Sequence, residues 1–147
     1  MRLLPWWIGG MDTRMTLTFR VNGVPGPQGS KRHVGRGRMV EMSKKVGPWR
    51  DAVILAAQMA KGSTFQTMRG PVEVRVEFYL PRPKHPKHPV HPIVPPDLDK
   101  LQRSTGDALK TAAVIADDSL IVHWDPWKRY ADDIRPVGAV ITVTELQ

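Results

Sequence analysis

From Thr16 to Asn22 apolar and polar residues alternate, with Leu17, Phe19 and Val21 on one side, which predicts a half-buried strand. Gly23 to Ser30 carries two prolines and three glycines and reads as turn chemistry leading into a basic loop. Pro48 then opens a helical pattern in which Trp49, Ala52, Val53, Ala56, Ala57 and Ala60 recur at three- and four-residue spacing, ending near Gly62. Val72 to Leu80 alternates most regularly: Val72, Val74, Val76 and Phe78 point inward, Glu73, Arg75 and Glu77 outward. Seven prolines between Pro81 and Pro96 dictate an extended, partly polyproline connection. A second helix is predicted from Asp97 to about Val114, burying Leu98, Leu101, Thr105, Ala108, Leu109 and Ala112. Ser119 to His123, continuing toward Arg129, predicts a strand or hairpin arm. Val137 to Thr144 predicts the last strand, with Val137, Ala139, Ile141 and Val143 on its inner face. The order β-α-β-α-β-β predicts an α+β fold in two layers, two helices packed on a mixed sheet.

At 147 residues the chain suits one domain, assigned to residues 16–147, preceded by an N-terminal extension over residues 1–15 that adds little to the fold. That extension includes an apolar stretch from Leu3 to Ile8, too short for a membrane anchor and broken by Pro5. No run of the chain suits a membrane span. The absence of cysteine excludes disulfides, thiol nucleophiles and thiolate zinc sites, and suits a reducing cytosol.

Charge changes the picture more. The formal net charge is +8, but residues 1–96 hold 16 basic and five acidic side chains while residues 97–147 hold six and nine. The densest basic stretch, Lys31 to Arg50, includes Lys31, Arg32, Arg36 and Arg38 and a single acid, Glu41. This is the footprint of phosphate contacts, with a solvated basic loop as the plain alternative.

Acids gather where the basic half ends. Asp97 and Asp99 follow Pro95-Pro96 at a loop-to-helix junction, where one of them can serve as a helix cap worth ~1 kcal/mol. Asp99, Arg103 and Asp107 share one helix face at i, i+4 and i+8, either as a surface ion-pair ladder or as part of a site. Asp117-Asp118 stands where the helix gives way to the next strand. Convergence of Asp97, Asp99 and Asp118 would set like charges against each other, at on the order of 4 kcal/mol per pair at ~4 Å and a dielectric of 20. A hard cation neutralises such a set, and with oxygen donors only the natural candidate is Mg²⁺. Carboxylates around Mg²⁺ beside a basic surface are a kit for phosphodiester hydrolysis.

Pro96-Asp97-Leu98-Asp99-Lys100-Leu101, then Asp107-Ala108-Leu109, then Ala116-Asp117-Asp118-Ser119-Leu120-Ile121-Val122 resemble the RusA-type Holliday junction resolvases, whose pattern runs roughly P-D-x-D-N-L-x-K-x-x-x-D-A-L and then D-D-x-x-V. Val21 to Pro27, Gly29-Ser30-Lys31-Arg32 and Lys128-Arg129-Tyr130 extend the similarity over most of residues 16–146. The resemblance implies a homodimeric, Mg²⁺-dependent endodeoxyribonuclease that cuts four-way DNA junctions. It implies Asp97, Asp99 and Asp118 as metal ligands. Arg103 stands in the place of a family lysine and Lys100 in that of an asparagine. An arginine supplies permanent charge and grips phosphate, but is a poor proton donor. Lys31, Arg32, Arg36 and Arg38, with Lys128 and Arg129, are the candidate backbone contacts to branched DNA.

Other signals compete. His85, His88 and His91 recur every third residue and would line one edge of a polyproline helix, which admits a metal site but fits a connecting or DNA-touching loop better. Trp49 belongs to the core by its helical phase, whereas Trp124 and Trp127 suit either packing or base stacking. A haloacid-dehalogenase-like phosphatase would place Asp-x-Asp after a buried parallel strand, and the proline-rich run before Asp97 fits this poorly. The non-catalytic alternative is a basic DNA-binding module whose acids merely cap and pair.

Overall fold

The computed structural model describes residues 14–29, 31–33, 39–41 and 44–146. In chain order these form β1 (Thr16–Asn22), β2 (Lys31–His33), β3 (Met39–Glu41), α1 (Val46–Lys61), β4 (Val72–Leu80) and α2 (Leu98–Thr111). A single 3-10 turn (Asp118–Leu120), β5 (Ile121–Tyr130) and β6 (Gly138–Glu145) follow. The main sheet has the order β1-β6-β4-β5. β6 runs antiparallel to both β1 and β4, while β4 and β5 are parallel, so the sheet is mixed and the predicted α+β architecture is observed. β2 and β3 form a separate antiparallel ribbon where patterning predicts only a basic loop.

The alternation of the strands sorts the two faces. Phe19 and Val21 of β1, Val74, Val76 and Phe78 of β4, and Ala139, Ile141 and Val143 of β6 are buried. Against them lie Trp49, Val53 and Ala57 of α1 and Leu101, Ala108 and Leu109 of α2 in one continuous core. Trp49 is core, as its phase predicts; its ring meets Phe78 at 6.2 Å and its indole N–H donates to Thr105 Oγ1 at 3.3 Å. The other sheet face carries polar ladders, among them Thr18–Thr142 at 3.0 Å and Arg75 between Glu73 and Asp125.

The predicted boundaries shift where polar groups intervene. The buried stripe of α1 stops at Ala57 and leaves Ala60 exposed, because the last turn presents Gln58 and Lys61 to the Ala112 carbonyl at 3.3 and 2.8 Å. α2 ends at Thr111 rather than near Val114. Ala113 adopts φ 57°, and the N–H groups of Ala113 and Val114 fold back onto the Lys110 and Leu109 carbonyls. Strand β5 begins at Ile121, since Asp117 captures Ser119 N–H and winds the preceding residues into the 3-10 turn. Gly138 is required at the start of β6: φ is +149° and a Cβ would lie 2.1 Å from the Val21 carbonyl oxygen. No helix among the described residues is long and apolar enough to cross a membrane.

Candidate active site

Burial of Leu101, Ala108 and Leu109 turns the opposite face of α2 outward, and that face carries Asp99, Arg103 and Asp107. Asp99, Gln102, Arg103 and Gly106 form one wall of an open cleft; Asp118, Ile121 and Trp124 form the other. Gly106 lies across the cleft floor from Trp124 and Ile121, with room for a Cβ in ordinary contact at 3.5 and 3.6 Å. The cleft thus brings together Asp99, Arg103 and Asp118. Asp97 is not among its lining residues. It stands one residue before α2 in extended conformation, makes no capping hydrogen bond, and pairs with Lys100 at 3.5 Å while its side chain stays 55% exposed. The capping role that competes for Asp97 in the sequence is therefore not the one it plays.

The two later aspartates divide their work. Asp117 accepts from Ser119 N–H and Oγ–H and pairs with Lys110 Nζ at 2.8 Å. These contacts, Lys110 first, lower its pKa to about 2. It is a turn-forming group that stays charged at neutral pH. Asp118 moves the other way. Loss of surrounding water, then hydrogen bonding with the Asp107 carboxyl and the charge of Asp107, raise its pKa, while Lys110 offsets only part of this. Asp118 thus borders the cleft that holds Asp99 and feels the charge of Asp107 from α2. Asp99 and Asp107 lie eight residues apart on α2, about 12 Å along its axis.

The glycine- and proline-rich segment after β1 is strapped along the same helix. Ser104 Oγ–H donates to the Gly26 carbonyl at 2.6 Å, and Gln28 N–H donates to the Lys100 carbonyl at 3.0 Å. Gln28 Nε2 donates to Asp107 Oδ2 at 2.5 Å. Gly29, at φ +126°, lies under the Arg103 guanidinium so closely that a Cβ would come within 2.7 Å of Nη1. The segment that leads into the basic ribbon therefore passes directly over the acidic cleft.

A family model described as endodeoxyribonuclease RusA matches residues 22–144, which include every element from the end of β1 to β6. The chain belongs to the RusA endodeoxyribonuclease family. It is thereby a crossover junction endodeoxyribonuclease, a hydrolase acting on DNA phosphodiester bonds, and branched DNA is its partner. Family membership carries Holliday junction resolvase activity. A comparison with curated proteins finds no significant match.

RusA nucleases are of a kind that generally depends on a divalent metal, and the donor chemistry of the cleft fits a hard cation. Its acids are all carboxylates, and Asp118 is held beside Asp107 with only partial compensation from Lys110. Among the described residues no three acid or imidazole side chains are drawn together closely enough to enclose an ion. The carboxylates border the RusA cleft rather than close around a centre.

The other predicted residues sit as follows. Lys128 Nζ donates to the Val94 and Pro96 carbonyls at 3.0 and 3.1 Å, and burial lowers its pKa against the opposing pull of Asp97. It ties the end of β5 to the loop that delivers Asp97. Arg129 pairs with Glu77 at 3.3 Å and stacks over Trp127 at 4.5 Å. Lys31 and Arg32 lie on β2, but their side chains, with Arg36, Arg38, Trp6 and Trp7, fall outside the described residues. His88 Nδ1 accepts the Val90 and His91 N–H groups and its ring stacks on His91, so it braces the proline-rich loop. Patterning does not single out Gln28 or Gly106.

Proposed function

We propose that this RusA-family chain resolves four-way DNA junctions by Mg²⁺-dependent hydrolysis, acting as a homodimer in the cytosol. The observation that carries the reading is the cleft in which Asp99 and Asp118 face Arg103. Asp97, Asp99 and Asp118 are proposed as the residues that hold Mg²⁺, with Asp97 released from its exposed pair with Lys100. Bound Mg²⁺ supplies Lewis acidity toward the phosphate and an activated water. Arg103 holds the scissile phosphate and offsets negative charge as it builds there, a role that needs a fixed cation and no proton transfer. Lys31, Arg32, Arg36 and Arg38 are proposed to grip the backbone on one side of the cleft, with Arg129 adding positive potential at the end of β5, while Lys128, proposed from the sequence as a backbone contact, is held by the Val94 and Pro96 carbonyls and braces the loop that carries Asp97. Symmetric cutting of opposed strands needs two such sites, hence two copies of the chain.

The test is cleavage of a synthetic four-way junction with Mg²⁺ and with EDTA. Asp99→Asn and Asp118→Asn are expected to lower kcat at least 100-fold while junction affinity in EDTA stays within about twofold. Arg103→Lys is expected to keep most activity and Arg103→Ala to lose it, since position and charge are what the cleft requires. A junction bound but left uncut by the wild type with every divalent metal would leave only a basic DNA-binding module.

A further inference from the structure

The strap after β1 and the loop between β4 and α2 face each other across an apolar groove of about 520 Å³, within the size range of small-ligand pockets. Proline makes up more than half of its lining, with Pro25 and Pro27 on the strap side and Pro81, Pro83 and Pro92 on the loop side. No acid and no side-chain amide lines it, and its two charged residues are Lys44 and Lys45, just before α1. Polar hooks hold the loop in this shape. Arg82 donates to the Pro89 carbonyl at 2.9 Å and lies 5.2 Å over the Tyr130 ring, while Lys128 donates to the Val94 and Pro96 carbonyls. Val94, on the groove wall, stays 36% exposed.

This lining selects among occupants. Proline presents a flat ring and no backbone N–H, so the walls offer few of the donors by which an extended peptide is held. The lysines ask for negative charge beside an apolar body. A flat, stackable ring joined to an anion is the chemistry of a nucleotide, with the base in the groove and the phosphate on the lysines. The location agrees. The groove ends at Pro95 and Pro96, the residues immediately before Asp97, and its strap wall continues through Gln28 to Gly29 beneath Arg103.

We propose that this groove receives one unstacked nucleobase of the branched DNA, from a nucleotide near the scissile phosphate, with Lys44 and Lys45 on its backbone. In linear duplex every base is paired and stacked, and extracting one is unfavourable, whereas pairing at a branch point is already interrupted. The groove therefore favours junctions over linear DNA. Without an amide or carboxylate to read a base edge, it does so with little preference for which base enters. The inference rests on the reading above that places Asp97 beside the scissile phosphate, but it concerns binding and is tested without metal.

The experiment measures, in EDTA, the affinity of the full-length protein for a synthetic four-way junction and for linear duplex of the same arm sequence. A single abasic site is walked through the nucleotides nearest the branch point. One position is expected to lower junction affinity about 5–150-fold, the worth of one stacked base, while the same lesion leaves duplex binding unchanged. Val94→Phe, which fills the groove, is expected to lower affinity for the intact junction by a similar factor, and the sensitive abasic site to add little in that background. Lys44→Gln with Lys45→Gln is expected to flatten the salt dependence of junction binding by about one contact per lysine. Equal affinity for intact and abasic junctions at every position overturns the proposal, as does full additivity of the lesion and Val94→Phe, or an unchanged salt slope in the lysine variant. A changed oligomeric state of Val94→Phe in sedimentation, with abasic junctions bound as tightly as intact ones, would assign the groove to a second copy of the chain and overturns it too. Should Val94→Phe fail to fold, Pro83→Trp fills the groove from the other end, and the abasic series on the wild type decides without either. Cleavage that survives in Asp99→Asn and Asp118→Asn removes the metal reading alone, because no arm of this binding test contains metal.

Discussion

Two neighbouring aspartates show how position within a single turn decides what a carboxylate does. Asp117 is held by Lys110 and Ser119 and titrates near 2, below its ordinary value of 3.8. Its contribution to stability is present above about pH 4 and disappears as pH falls through 2. Asp118 is shifted upward, so the folded chain binds its proton more tightly than the unfolded chain does. Its cost is therefore present at neutral pH and relieved as pH falls toward 3.8 and below. A neutral isostere removes that cost. In EDTA at pH 7, Asp118→Asn is expected to melt about 1–3 °C above the wild type, with the difference gone near pH 3. A melting temperature at or below that of the wild type at pH 7 would show that Asp118 is not held against an uncompensated neighbour. This division was invisible in the sequence, where Asp117-Asp118 is a symmetrical pair, and only the Lys110 and Asp107 side chains one and two turns back on α2 distinguish them.

At the level of elements, side-chain periodicity carried most of the fold. β4 is observed over the residues its alternation predicts, and the buried positions of β1, α2 and β6 follow from spacing alone, because each of these elements presents one face to one core. What spacing leaves out is set by contacts between distant parts of the chain. The β2–β3 ribbon has too few residues for a periodic signal, and the cleft depends on how closely α2 rests on β5. The motif order identified the family and the outward face of α2, while the approach of Asp118 to Asp99 and Arg103 across the cleft arises from packing. The end of α2 is another local conflict. Ala113 takes the left-handed conformation that closes the helix, at a steric cost that glycine would avoid. Ala113→Gly is expected to stabilise the protein by about 0.5–1 kcal/mol in urea unfolding, the relief of that strain exceeding the added chain entropy. Ala113→Val should destabilise it. Equal midpoints for all three chains would show that residue 113 is not held at positive φ.

Across the whole molecule, the basic and acidic parts of the sequence are interleaved in space. The chain from β1 to α1 supplies most of the positive charge, yet its Gly26–Gly29 strap crosses α2 and brings the start of the ribbon to the acidic cleft. On the proposed reading, a phosphate backbone gripped by Lys31 and Arg32 would be delivered to Asp99, Arg103 and Asp118, with the basic flank offsetting the like charges of the acids. Such binding releases counterions, so log affinity should fall linearly with log salt at about 0.9 per phosphate neutralised. If the four proposed residues Lys31, Arg32, Arg36 and Arg38 contact phosphate in each of two copies, junction affinity in EDTA should drop by roughly 10³–10⁵ between 50 and 200 mM salt. Replacing Lys31 and Arg32 together by glutamine should flatten the slope by about two contacts per copy and leave Mn²⁺ uptake unchanged. Lys128→Gln should behave differently, because its ammonium is occupied by the Val94 and Pro96 carbonyls. Its loss is expected to lower cleavage by displacing the loop that carries Asp97, with little change in the salt slope. A slope that stays the same in the Lys31/Arg32 variant would move the DNA-binding surface off the ribbon. A slope that falls in Lys128→Gln would instead add Lys128 itself to that surface.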